Sequence, residues 1–356
     1  MTFLIQQTLL FAIPLMIVAL AGVFSERSGI INLALEGIMI MGAFVGVLAV
    51  RILQGVPAFQ QAAEAVSSFN AGTGEASSAW VTLQGMEILC MLIAAAAGAI
   101  FSLLLSYASI NMKADQTIGG TALNLLAPAI SLFLIRIIVN QNTMGMAGGA
   151  GGASWFLIRK TFFGVGANED MGFLGNTFLD KTYLATYLTI LLFVLMSVIL
   201  YKTRFGLRVR SCGENPQAAA SLGINVYKMR YAGVTISGAL AGMGGFVYAL
   251  TTQGCTTNGD VAGFGFLALA VMIFGNWKPL NIALGALLFG LFKCIAASYA
   301  TLDINADGHF LLNEIGISSY IYRLLPYVIT LIVLALTSKS SRAPKAEGIP
   351  YDKGMR

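Results

Sequence analysis

Charge is what this sequence has least of: 10% of its 356 residues are Asp, Glu, Lys or Arg, where an ordinary soluble domain carries about 25%. With 57% hydrophobic residues and a mean hydropathy of +0.79, water is not its main solvent. A single histidine, His309, leaves no cluster of acid, base and metal ligands, which argues against a membrane enzyme. Cysteines are few and scattered: Cys90 and Cys294 in apolar runs, Cys212 in a basic loop and Cys255 in a connection, which excludes a disulfide framework or zinc spacing. No G-x-x-x-x-G-K-[ST] run occurs, so nucleotide hydrolysis is not expected of this chain. Its 21 Lys and Arg against 16 Asp and Glu lie between or after apolar runs and form no patch for nucleic acid. The first 24 residues lack a basic start and a small-residue cleavage site, which predicts a retained helix in place of a removable signal.

Long apolar runs are what the sequence does have. Candidate spans run from Phe3 to Phe24, Ile30 to Val50, Gln84 to Tyr107, Thr121 to Val139, Tyr183 to Tyr201, Tyr231 to Leu250, Phe264 to Asn276, Leu280 to Tyr299 and Ile321 to Thr337. They are too long and too uniformly apolar for barrel strands, so the expected fold is all-α, a polytopic transmembrane helical bundle of about 8 to 10 spans. Phe264 to Asn276 is short and reads as a broken or re-entrant half-helix. The membrane domain is expected over 1–338, with a basic loop at 202–230 and a basic tail at 339–356.

Lysine and arginine set the expected orientation. Lys202, Arg204, Arg208, Arg210, Lys228 and Arg230 share one side with the tail, and Glu64, Glu75, Glu169, Asp170, Asp180, Asp260, Asp303, Asp307 and Glu314 lie opposite. The positive-inside rule then puts the amino terminus outside and the carboxyl terminus in the cytoplasm. Gln54 to Ala79 and Asn140 to Thr182 become long outer connections, the second with the glycine-rich run MAGGAGGAS.

Tyr201 to Arg230 holds a short, complete helix between two spans. Glu214 or Asn215 can cap it, Pro216 suits its first position and Gly223 ends it. Ala218 to Ala220 give it a slim face able to lie in a groove on a partner, and flanking Arg208, Arg210, Lys228 and Arg230 hold it near anionic lipid or protein. On its residues alone, a plain interfacial connector whose charges set topology is the favoured reading.

The Gly213-Glu214-Asn215-Pro216, Ala218–Ala220 and Gly223-Ile224-Asn225-Val226 pattern resembles the coupling-helix loop of ABC importer permeases in the branched-chain amino acid, ribose and simple-sugar superfamily. Ser25 to Ala43 (SERSGIINLALEGIMIMGA), Ala114 to Ala127 and Gly263 to Gly290 resemble further motifs of that superfamily, in the expected order, and the first is most similar to its nucleoside branch. The resemblance implies a type II-like permease in a bacterial cytoplasmic membrane that moves a small polar solute, nucleosides before simple sugars or branched-chain amino acids, by alternating access. It implies a separate ATP-binding subunit, a second homologous permease and an extracytoplasmic binding protein. It also implies docking of the ATP-binding subunit on Glu214, Asn215, Pro216, Ala219 and Gly223. The outer connections at 51–80, 140–182 and 300–320 are longer than the family pattern.

Polar residues within apolar spans are costly and should face protein or a water-filled path. Asn32 and Glu36 are one turn apart on one face, and Asn124 follows the Gly119-Gly120 pair; these three are the expected path residues, with helix-to-helix hydrogen bonding as the alternative. Glu87 and Arg136 are in the same class. The clustered glycines Gly238, Gly242, Gly244 and Gly245, with Gly285 and Gly290, predict close helix approach. Finally, Asp303 to Glu314 reads DINADGHFLLNE and satisfies D-x-[DN]-x-[DN]-G-x5-E, with Asp303, Asn305, Asp307, His309 and Glu314 as candidate ligands of a structural calcium ion. A plain solvated loop is the alternative.

Overall fold

The computed structural model describes residues 2–70, 79–146, 152–163, 165, 171–299, 319–337 and 343–354. The calcium-like string at 303–314 lies outside the described residues.

Without water to satisfy the backbone, each apolar run closes its own hydrogen bonds as a helix. Thirteen α-helices follow among the described residues: α1 (Thr2–Glu26), α2 (Leu35–Leu53), α3 (Pro57–Asn70), α4 (Ala79–Ser106), α5 (Gln116–Val139), α6 (Gly172–Phe178), α7 (Leu184–Lys202), α8 (Arg204–Glu214), α9 (Pro216–Ser221), α10 (Val226–Thr251), α11 (Phe264–Phe274), α12 (Pro279–Ser298) and α13 (Ser319–Thr337). Seven of them, α1, α2, α4, α5, α7, α10 and α12, meet the length and apolarity of a membrane crossing, and α11 is apolar but half as long. The expected polytopic bundle is therefore what forms. Among the described residues, strand structure is limited to the pair β1 (Leu157–Ile158) and β2 (Thr182–Tyr183), which join antiparallel.

Helix α10 is the axis of the bundle, packed on α1, α2 and α4. Small residues make this possible. A Cβ on Gly242 would lie 2.5 Å from the Ala94 carbonyl oxygen and 2.8 Å from Gly98 Cα, and Gly42 presses on Gly242 from α2. The glycines singled out in the sequence thus act as helix contacts, as small residues do where lipid offers no hydrophobic drive to associate.

The described contacts define two ends. At one, Gln6 of α1 donates to the Asn176 and Asp180 carbonyls, and Met144 pairs with Thr257. At the other, the basic end, the end of α1, the α7–α10 loop and residues 343–354 meet, and Tyr201 donates to the Trp277 carbonyl. Several expectations change in detail. The Gln54 to Ala79 connection is not a bare loop, because Pro57–Asn70 forms α3, whose Ala62, Ala63 and Val66 pack with Leu83. The basic loop holds two helices, α8 and α9, split at Asn215. Residues 27–34, expected to belong partly to the second span, are non-helical.

Candidate functional site

The break at 27–34 and the short α11 together create the most unusual place in the bundle. Helix α11 has 11 residues, so at 1.5 Å per residue it spans about 16 Å, roughly half of a ~30 Å hydrocarbon core. Its far end is tied to the basic end: the Trp277 indole N–H donates to Glu26 Oε2 at 2.6 Å. Its beginning therefore lies about 16 Å from that end, within the bundle, where the first N–H groups of a helix have no internal partner.

Glu36 meets that need. Its Oε1 accepts from the Gly263 N–H at 2.9 Å, and its Oε2 accepts from Gly265 at 2.6 Å and Phe266 at 3.3 Å. Because Glu36 also sits in the first turn of α2, one carboxyl faces the positive ends of two helices. Asn124 serves α2 in the same way, its Oδ1 accepting from Gly37 N–H at 2.8 Å while its amide donates to the Leu33 carbonyl at 2.7 Å. Asn32 accepts from Ala34 N–H at 3.1 Å and donates to Ser237 Oγ on α10 at 3.0 Å. The structure thus gathers all three expected path residues around two helix beginnings and gives each a framework partner. Glu87 repeats the pattern at the start of α7, accepting from Ala185 N–H at 2.7 Å. Arg136 instead lies exposed in the last turn of α5, donating to Asn142 Oδ1.

Beside the start of α11 opens a cavity of about 510 Å³ lined by Phe11, Tyr248, Phe264, Asp260, Gly263 and Lys293, with neighbouring alanines. The rings of Tyr248 and Phe264 lie 4.4 Å apart and tilted, Phe11 is 6.3 Å from Phe264, and Lys293 Nζ stands 5.1 Å over the Phe264 ring. The same ammonium donates to the Ala262 carbonyl at 3.5 Å. An aromatic wall next to a cation and a carboxylate can stack a flat ring and hydrogen-bond hydroxyls. Sequence reasoning missed Lys293, although a lysine inside the Leu280 to Tyr299 run was the available signal.

At the basic end, Asn215 caps α9, its Oδ1 accepting from Ala218 N–H at 3.0 Å, with Pro216 at the first position and Gly223 past the end at φ +81°. Glu214 is paired with Arg27 at 3.2 Å. Of the five expected docking residues, Glu214, Asn215 and Gly223 are exposed and Pro216 half-buried. Ala219 turns inward, buried with Cys212, Val226 and Tyr351. Leu222 was not singled out, yet it is 81% exposed at the end of α9, the most exposed of the apolar side chains at this end, which include Leu207 and Ile349. Arg230 is buried, its guanidinium against Gly29 and donating to the Ile349 carbonyl at 3.0 Å, so it organises protein and does not face lipid.

The sequence profile described as "Branched-chain amino acid transport system / permease component" matches residues 4–334. The chain is 37% identical over 350 residues to a nucleoside ABC transporter permease protein of Lactococcus lactis subsp. cremoris, covering 98% of this chain and 96% of that one. It is 38% identical over 364 residues to a guanosine ABC transporter permease protein of Bacillus subtilis, covering 100% and 98%. A putative glucose ABC transporter permease protein of Haloferax volcanii is 26% identical over 340 residues, covering 93% and 90%. No solved structure matches the chain at a significant level.

Proposed function

The chain belongs to the family of branched-chain amino acid transport system permease components, and from that premise we propose that its solute is a nucleoside. It is the membrane permease subunit of an ABC-type importer, and ATP hydrolysis is carried out by a separate subunit. The observation that carries the nucleoside reading is full-length likeness to two permeases named for nucleosides. The cavity suits it: about 510 Å³ falls in the usual range of about 300–1,000 Å³ for small-molecule sites, and its aromatic wall matches a purine or pyrimidine ring.

In this reading the positive-inside rule places the basic end in the cytoplasm, where the ATP-binding subunit meets α9 and its flanks through Glu214, Asn215, Pro216 and Gly223, joined by Leu222, while buried Ala219 supports them from beneath. The extracytoplasmic binding protein docks on the opposite connections, and a second homologous permease completes the path. Asn32, Glu36 and Asn124 act by holding the starts of α2 and α11 at the solute's level, so that a movement of α9 into α10 shifts both starts together. Lys293 and Asp260 offer donors and acceptors to the ribose, while Phe11, Tyr248 and Phe264 take the base.

Uptake of radiolabelled guanosine into cells, with this gene deleted and restored, tests the reading. Loss on deletion, recovery on restoration and competition by unlabelled nucleosides over glucose or leucine are the expected results. Undiminished guanosine uptake in the deletion strain refutes it.

A further inference from the structure

Residues 343–354 lie beyond the family match, which ends at residue 334, yet they are folded against the basic end at many points. Ala346 N–H donates to the Gly213 carbonyl of α8 at 2.8 Å, and Gly348 N–H to the Gly29 carbonyl at 3.3 Å. Gln217 of α9 donates to the Asp352 carbonyl at 2.9 Å, and the Asp352 carboxylate pairs with Lys113, between α4 and α5, at 2.7 Å. Tyr351 is buried with Cys212, Ala219 and Val226, its ring edge-on to Tyr227 at 5.2 Å. Gly348 lies at φ +76°, and a Cβ there would come within 2.9 Å of Ile31 Cδ1, one residue from Asn32.

A basic tail that served only to set topology would need none of these contacts. This one fills the inward face of α9: Ala219 has no room to meet a partner because Tyr351 covers it. What remains open beside α9 is a groove of about 270 Å³ whose wall is shared between the two segments, with Ala220, Gly223, Ile224 and Tyr227 on one side and Tyr351 and Lys353 on the other. Its surface is about equally polar and apolar, with Ala220, Ile224 and the two tyrosines as the apolar part; Lys353 stands exposed in its wall, and Lys228, next in sequence to Tyr227, is exposed as well.

We propose that residues 343–354 form a strap that completes the docking surface for the ATP-binding subunit, whose apolar side chain, flanked by acidic groups, enters the groove between α9 and Tyr351. The inference rests on the reading of α9 as the coupling helix. The occupant follows from position and charge: the groove is continuous with the exposed face of α9 and Leu222, and its rim is basic. The strap also ties that surface to Gly29 and Ile31, and so to the residues that hold α2 and α11.

The test uses the whole transporter, purified in detergent through a tag on the partner permease. Tyr351→Ala and a chain ending at residue 342 are expected to insert and to pair with the second permease, while at least about ten-fold less ATP-binding subunit co-purifies. A photo-cross-linker at Lys353 in the otherwise parental chain is expected to capture the ATP-binding subunit. Co-purification within about two-fold of parent in both variants, or a cross-linker at Lys353 that captures lipid alone, overturns the proposal. If the parental chain itself recovers no ATP-binding subunit, the coupling-helix reading of α9 fails and the strap's docking role falls with it. If parent and variants recover it equally, the strap alone fails.

Discussion

Single polar side chains in this bundle act mainly on helix beginnings. Glu36 satisfies three N–H groups contributed by Gly263, Gly265 and Phe266, and each buried donor left without a partner costs about 1–3 kcal/mol. Glu36→Ala is therefore expected to lower the unfolding temperature of the purified permease markedly and to abolish uptake, with Glu36→Gln intermediate because one acceptor oxygen survives. An alanine variant as stable as the parent in a thermal melt would remove the cap from the argument. Glu347 is a second case, outside the spans. Burial raises its carboxyl pKa to about 7, with Arg27 opposing, and its neighbour is the Glu26 carboxyl, itself bonded to Trp277. A carboxyl raised on docking stabilises the docked segment fully at acid pH and loses that contribution as pH climbs through its docked value. The 343–354 segment should therefore loosen progressively from about pH 4.5 to about pH 7 and change no further above that. An environment-sensitive fluorophore at Lys353→Cys should report that transition in the parent and not in Glu347→Gln; identical titrations in both would exclude Glu347 as the cause.

The elements differ in how far their own sequences announce them. Asn215, Pro216 and Gly223 mark α9 because cap, first-turn proline and left-handed glycine are local chemistry, readable within a few residues. The start of α11 was less legible: its shortness showed in the Phe264 to Asn276 run, but the partner of its N–H groups lies 227 residues away in Glu36. Pairings at that distance depend on packing, and a single sequence gives no sign of them. Leu222 falls between these cases, since an apolar residue closing a short polar helix is visible locally, while its exposure is known only once α8 and α10 are placed. Leu222→Asp is expected to leave folding intact, because the side chain is 81% exposed and buries little on folding. It should nevertheless reduce uptake about ten-fold or more by removing an apolar contact from the ATP-binding interface. Measured together, an unchanged melting temperature with lost ATPase co-purification supports this assignment, and wild-type uptake rules it out.

For the whole molecule, the apolar runs made the helical bundle legible, since it follows from the cost of placing polar groups in hydrocarbon. What they left open was how the helices meet. That is decided by glycines whose roles differ although their surroundings in sequence look alike. On Gly242 a Cβ would strike backbone atoms of α4 at 2.5 Å and 2.8 Å, whereas on Gly119 it would meet only Leu105 Cδ1, at 3.5 Å. Backbone atoms cannot step aside as a side chain does, so Gly242→Ala must separate α4 from α10, at about 1–3 kcal/mol for overpacking. Gly119→Ala meets ordinary van der Waals contact and gains helix propensity of up to about 1 kcal/mol. The two variants should thus move the melting temperature in opposite directions. Because α10 also carries Ser237, the partner of Asn32, Gly242→Ala should impair uptake beyond its loss of folded protein, and uptake per folded molecule equal to the parent's would show that the α4–α10 spacing does not set the geometry at the start of α2.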